Sequence, residues 1–337
     1  MGKLSKALLL AGGTVSGVAL ATALTLYLTP RPGAYLIKKI FDRPYGIKLP
    51  EEYEKAAKQV KVIRNGTYSI DTDKSSYDLY LPVNLAEGER VPVLVWLHGG
   101  GFVGGDKEQM LEFATYVTAQ TGLAVLCLNY DLAPKAKYPS QIAQLNEAVQ
   151  HIQSNSDLVE FIDTEQWFFG GDSAGAQIAG QYVLIQTNEN YRHHLGYSAS
   201  LMPSQLKGFI AYCGPLAMNL LANRQSNHPA IKFFYNTVSR SVIGNRQWSQ
   251  SPELSEASLA NHVNAQFPSS FVTDGNKFTF DDHGKYFVKR LVELGVAVEH
   301  LFIETEELVH EYQFEYQTAA AQRCLAETIA FIKANRD

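Results

Sequence analysis

From about residue 66 onward, apolar runs of strand length alternate with polar-interrupted stretches of helical period. "VPVLVWLH" at 91–98 is almost continuously hydrophobic, as expected of a strand covered on both faces. "LAVLCLNY" (123–130), "QWFFGG" (166–171), "LKGFIAYCG" (206–214), "SSFVTDG" (269–275) and "VAVEHLFIE" (296–304) repeat the pattern. Between them, 107–120, 140–155, 174–186 and 282–294 read as helices. A last helix is expected from about residue 314, with Phe314, Ala321, Leu325, Ile329 and Ile332 on one face and Thr318 filling the remaining step. Upstream, "EEYEKAAKQVKVI" (51–63) reads as a short amphipathic helix, followed by strands "GTYSI" and "YDLYLP" across the polar turn "DTDKSS". This order predicts an α/β fold with a mostly parallel, doubly wound sheet. Residues 216–264 break the rhythm with mixed aromatic and polar positions and read as an inserted cap.

The N-terminal 30 residues follow another rule. Ala7 to Pro30 carry no charge, a run long enough to cross a bilayer. They are expected to form a transmembrane helix, an anchor or signal sequence over 1–30, joined by a proline-punctuated linker at 31–50 to a body at 51–337. A signal-anchor reading puts that body outside the cytoplasm. Lys3 and Lys6 before the span, set against Arg31, Lys38, Lys39, Arg43 and Lys48 after it, favour the opposite orientation.

A formal net charge of −5 gives no electrostatic reason to expect a nucleic-acid partner. The three cysteines, Cys127, Cys213 and Cys324, form no C-x-x-C pair and read as small buried hydrophobes.

Chemistry concentrates in two glycine-rich turns. Five of the seven residues from 99 to 105 are glycine, directly after the apolar 91–98 run. They lack the G-K-[ST] ending of a phosphate loop, and the spacing of Gly99, Gly101 and Gly104 is not followed by a dinucleotide-binding unit. Acyl transfer, by contrast, needs bare backbone N–H groups aimed at an oxyanion, where side chains would crowd the acyl group. The second turn, Gly171-Asp172-Ser173-Ala174-Gly175, is a G-x-S-x-G between an apolar strand and a helix. That is the setting in which a strained turn exposes a nucleophilic serine. Gly100, Gly101 and the amide of Ala174 are the expected oxyanion donors. Asp172 is expected to be structural, and Asp106 to cap the helix that starts near Lys107.

HGGGF at 98–102, "NYDLAPKAKYP" at 129–139 and GDSAG at 171–175 together resemble the hormone-sensitive-lipase branch of the α/β-hydrolases. The resemblance covers about residue 60 to the C-terminus. It implies an α/β-hydrolase fold, an esterase acting on short- to medium-chain acyl esters or lipids, no cofactor, no metal, and a Ser-His-acid triad under a cap. Asp131 and Lys135 invert the charges of the family's usual Y-R-L-A-P-E, which reads as a structural substitution.

In such folds the triad runs serine, acid, histidine along the chain. His300 falls inside a strand and His283 at a helix start, whereas His310 lies in the loop between the last strand and last helix, where the family's histidine sits. The family's HGF is here His-Glu-Tyr. The acid is less evident, because Lys277 stands where the resemblance would place an aspartate. Asp274 at a strand's carboxyl end is the first candidate, and Asp281 and Asp282 are the alternatives. Two other functions remain open on the sequence: an amidase or peptidase with the same triad, and an inactive hydrolase fold that binds at the membrane.

Overall fold

The computed structural model describes residues 24–25, 27–42, 51–224 and 228–336. Eight strands form one sheet in the order β1-β2-β4-β3-β5-β6-β7-β8: Val60–Thr67, Ser76–Pro82, Val91–Leu97, Ala124–Leu128, Ile162–Asp172, Leu206–Tyr212, Ser270–Asp274 and Val298–Phe302 in chain order. β1 and β2 are antiparallel, β2 joins β4 antiparallel, and all other pairs are parallel. The main helices are α1 (Arg31–Phe41), α2 (Glu51–Ala57), α3 (Leu111–Thr121), α4 (Ser140–Ser154), α5 (Ala174–Thr187), α6 (Pro229–Ile243), α7 (Asp281–Glu293) and α8 (Ala319–Asn335).

The continuous apolarity of β3 has the expected cause. Val93, Val95 and Leu97 enter one core with α4, α5 and α7, while Leu94 and Trp96 enter a second core with α3 and α8. With both faces dry, every position along the strand selects an apolar side chain.

The sequence reading holds for the central strands; of the strand read as "GTYSI" only Gly66 and Thr67 lie in β1, and the reading differs at three further places. The helix expected over 51–63 ends at Ala57, and β1 begins at Val60. Val60, Val62 and Ile63 pair across the sheet with β2, so β-branched side chains and ladder pairing override the amphipathic pattern there. The last helix begins at Ala319, capped by the Thr318 side chain, with Phe314 in a separate short turn before it.

The linker expected over 31–50 is the larger correction. Residues 31–41 are helix α1, which buries Gly33, Ala34 and Ile37. Phe41 sets its ring edge-on to Phe234 of α6 at 6.2 Å, the Phe41 carbonyl accepts from Gln109 Nε2 at 2.7 Å, and Asp42 Oδ1 accepts from the Gly105 amide at 3.2 Å. Prolines at the start of a helix are well placed rather than disruptive, and Pro32 sits in that first turn. Residues 43–50 lie outside the described residues, as does nearly all of the expected span 1–30. Among the described residues no helix is long and apolar enough to cross a membrane.

The segment read as a cap runs between β6 and β7, with α6 as its longest helix. Asp106 caps the turn at Lys107, accepting from the Glu108 amide in a capping box with Gln109. The two inverted charges have partners in the preceding polar turn. Asp131 Oδ1 accepts from the Lys74 amide at 2.9 Å, and Lys135 pairs with Asp73 at the surface. All three cysteines are buried and free.

The turn from β5 into α5 has no spare room. A methyl added at Gly175 would lie 1.9 Å from the Leu97 carbonyl oxygen, a backbone atom of the neighbouring strand. Gly175→Ala is therefore expected to destabilise the protein by about 2–3 kcal/mol or more by overpacking, read as a lower midpoint in urea at unchanged slope. An unchanged midpoint would show that the turn yields.

Candidate active site

Three chain segments converge at the carboxyl edge of the sheet. Ser173 follows β5 and opens α5 with φ +49° and ψ −114°, a strained conformation for a residue with a side chain. Asp172 holds the turn in place. Buried between β3 and β5, its carboxylate accepts from Trp96 Nε1 at 2.9 Å and from the Gly99 amide at 2.6 Å. One side chain thus ties the serine turn to the glycine loop, which is the structural role expected for it. Burial pushes Asp172 up to about 7, against the pull of those two bonds.

His310 sits on the loop after β8. Its Nε2 is 3.0 Å from Ser173 Oγ. Its Nδ1 is 2.8 Å from Thr279 Oγ1, and the Thr279 hydroxyl in turn meets Asp274 Oδ1. An ionised carboxylate only accepts, so the hydroxyl donates to Asp274 and accepts from an Nδ1–H. That assignment leaves Nε2 without a proton, facing the serine hydroxyl. Burial, followed by the charge of Arg224, lowers His310 to about 4, so the resting imidazole is neutral.

Asp274 ends β7, almost wholly buried. Besides Thr279 it accepts from the Gly275 amide at 2.7 Å and the Phe280 amide at 3.1 Å. Burial raises it to about 7, and these bonds pull the other way. Its carboxylate and the His310 ring lie within 4.8 Å of one another. The other two candidate acids point elsewhere. Asp281 pairs with Lys285 at 3.2 Å, and Asp282 with Arg224 at 3.4 Å. Lys277 is turned to the surface, where it pairs with Glu307. The structure thus brings Ser173, His310 and Asp274 together, with Thr279 between the last two.

The glycine loop frames the opposite side. Gly100 adopts φ +108°, and a methyl there would lie 2.2 Å from the Gly104 carbonyl oxygen. The amides of Gly100, Gly101 and Ala174 donate no hydrogen bond among the described residues. Gly101 and Ala174 join Ser173 and His310 around a cavity of about 490 Å³ whose other walls are largely apolar cap residues, among them Leu221, Phe234 and Val238. Gly100 lines a second cavity of about 440 Å³. Phe41 and His310 line both cavities. His98 is structural: its ring stacks on Tyr130 at 4.6 Å, and its carbonyl accepts from the Tyr130 hydroxyl at 2.8 Å.

Several contributors escaped the sequence reading. Asn276 fastens the histidine loop, exchanging backbone and side-chain bonds with Leu308 and donating to the carbonyls of Ile303 and Glu306. Thr279 bears no motif; only the fold of the 275–280 loop returns its hydroxyl to the carboxylate five positions earlier. Phe41 reads from the sequence as part of the 31–50 linker.

Comparison with known proteins agrees with the fold. The sequence model of a family described as having the α/β-hydrolase fold matches residues 94–314. A putative α/β hydrolase of Acanthamoeba polyphaga mimivirus is 23% identical over 218 residues, 62% of this chain and 58% of that protein. An acetyl esterase of Salmonella schwarzengrund is 32% identical over 100 residues, 30% of this chain and 31% of that one. The chain thus spans less than two thirds of these relatives. Among solved structures, esterase B of Lactobacillus rhamnosis superposes with a TM-score of 0.70 at 17% identity, over 96% of each chain. An esterase of Pyrobaculum calidifontis gives 0.64 at 19% identity, over 89% of this chain and 97% of that one. The family match covers well over half of the sequence, and the chain belongs to the α/β-hydrolase family.

Proposed function

We propose that this protein is a serine hydrolase that cleaves carboxylic esters through an acyl-enzyme. The observation that carries this is the 3.0 Å approach of His310 Nε2 to Ser173 Oγ at the floor of a largely apolar cavity. The esterase names of the acetyl esterase relative and of the structural neighbours point the same way.

In this reading Ser173 Oγ attacks the ester carbonyl as its proton passes to His310 Nε2. The amides of Gly100, Gly101 and Ala174 receive the oxyanion. As the tetrahedral centre collapses, the bond to the alcohol oxygen breaks and His310 delivers its proton there, leaving Ser173 acylated. Water then adds, giving its proton to His310, and the acid is released with the serine restored. The imidazolium that forms twice per cycle is stabilised by Asp274 acting through the Thr279 hydroxyl. The apolar cavity suits a short- to medium-chain acyl group.

We also read the uncharged Ala7–Pro30 run as a membrane anchor, with the body outside the cytoplasm. Leu24 and Leu28 within that run and Leu36 and Ile40 just after it, all more than half exposed, supply apolar surface. Alkaline washing of membranes is expected to leave the full chain in the pellet and to release a chain lacking residues 1–23. Release of both would exclude the anchor.

p-Nitrophenyl esters set against matching anilides test the activity. Ester hydrolysis with a preference for short to medium acyl chains, lost in Ser173→Ala, is expected; faster anilide cleavage would move the protein to the amidases. Asp274→Asn is expected to lower kcat by up to about 10⁴-fold with little change in KM. Thr279→Val is expected to lower kcat by about 10²-fold or more, with Thr279→Ser recovering most of it. A Thr279→Val enzyme with unchanged kcat would mean that Asp274 reaches the imidazole without the hydroxyl.

A further inference from the structure

We infer that the second cavity is a subsite for a cationic group, an ammonium or quaternary ammonium carried on the alcohol portion of the ester. This rests on the ester-hydrolase reading above. In that reading the acyl group stays on Ser173 while His310 delivers a proton to the departing alcohol oxygen, so the alcohol portion must lie against His310. The first cavity touches both residues. The second touches His310, Gly99 and Gly100 without reaching Ser173, which is the position of the departing side.

The wall chemistry of this cavity is unlike that of the first. Four aromatic rings line it: Phe41, Phe113, Phe314 and Tyr316. Glu112, Glu311, Glu315 and Asp172 bring carboxyl groups, and among the described residues no lysine or arginine lines it. Asp172 is committed to Trp96 and Gly99, and Glu112 accepts from the Tyr116 hydroxyl at 3.1 Å. Glu311 has the His310 ring as its nearby basic group, at 3.8 Å from Nε2. Burial, then the Asp172 and Asp274 carboxylates, push Glu311 up to about 8, and a cation opposite would favour its ionised form.

An independent observation points to a ligand in the same space. Tyr316 is only 8% exposed, lines this cavity, and its hydroxyl has no hydrogen-bond partner. A buried hydroxyl without a partner is costly. A ligand cation fits these walls, because the aromatic faces, the carboxyl groups and the unpartnered Tyr316 oxygen all present negative charge density to it.

The test pairs isosteres. Butyrylcholine and 3,3-dimethylbutyl butyrate differ by exchange of the quaternary nitrogen for carbon. The wild-type protein is expected to give kcat/KM about tenfold or more higher for the choline ester, the scale of a desolvated cation–π contact. Glu311→Gln and the double variant Glu112→Gln/Glu315→Gln should each shrink that ratio several-fold while neutral-ester turnover falls much less. Equal rates for the two wild-type reactions, or a ratio unmoved in both variants, overturn the subsite. Calorimetric titration of the unmodified protein with choline alone separates this from the hydrolase reading. If no ester is cleaved yet choline binds and competes with tetramethylammonium, the cation site stands and the reaction assignment falls. If the neutral ester is cleaved and choline does not bind, the reverse holds.

Discussion

The hydrogen bond between His310 and Ser173 joins two turns 137 residues apart, and the rest of the architecture can be read as what holds those turns in register. One turn is fixed by crowding. Ser173 sits at a strained φ, Gly175 presses on the backbone of β3, and the Asp172 carboxylate bridges to Trp96 and Gly99. The other turn is fixed by hydrogen bonds. Asn276 grips the histidine loop, and Asp274 with Thr279 sets the imidazole from behind. The serine turn hangs from β5, buried on two faces, so it cannot move without disturbing a close-packed core, while the histidine loop follows the edge strand β8 and depends on the bonds from Asn276 and Thr279.

The same frame explains how two differently lined cavities share one imidazole. The glycine loop passes between them, offering bare backbone to each side. The cap and α1 close over the first, with Phe234 of α6 meeting Phe41 of α1. The turn at Lys107, the start of α3 and the histidine loop close over the second. Phe41 touches both, so a segment far from the hydrolase motifs contributes to the walls of each.

Where the sequence was legible, one physical cause dominated. β3 through β7 are buried on both faces and announce themselves as apolar runs. The two glycine turns are legible because backbone packing excludes side chains there, and HGGG and GDSAG record that exclusion. His310 was placed by chain order and by the loop between β8 and α8. What escaped depends on three-dimensional return of the chain. Lys277 occupies the expected acid position but swings out to Glu307, while Asp274, three residues earlier, turns inward. The Thr279 hydroxyl lies between acid and base only because the 275–280 loop folds back. Helix α1 was hidden by prolines that read as linker punctuation but sit harmlessly at a helix start.

The central claim is that Ser173 is activated by His310 beneath a set of free amides. Labelling with a fluorophosphonate, followed by peptide mass spectrometry, tests it most directly. The account predicts a single phosphonylated peptide carrying Ser173, absent in Ser173→Ala and formed at least about a hundredfold more slowly in His310→Ala. A wild-type protein that is folded yet unlabelled, or labelled at a residue other than Ser173, would contradict it.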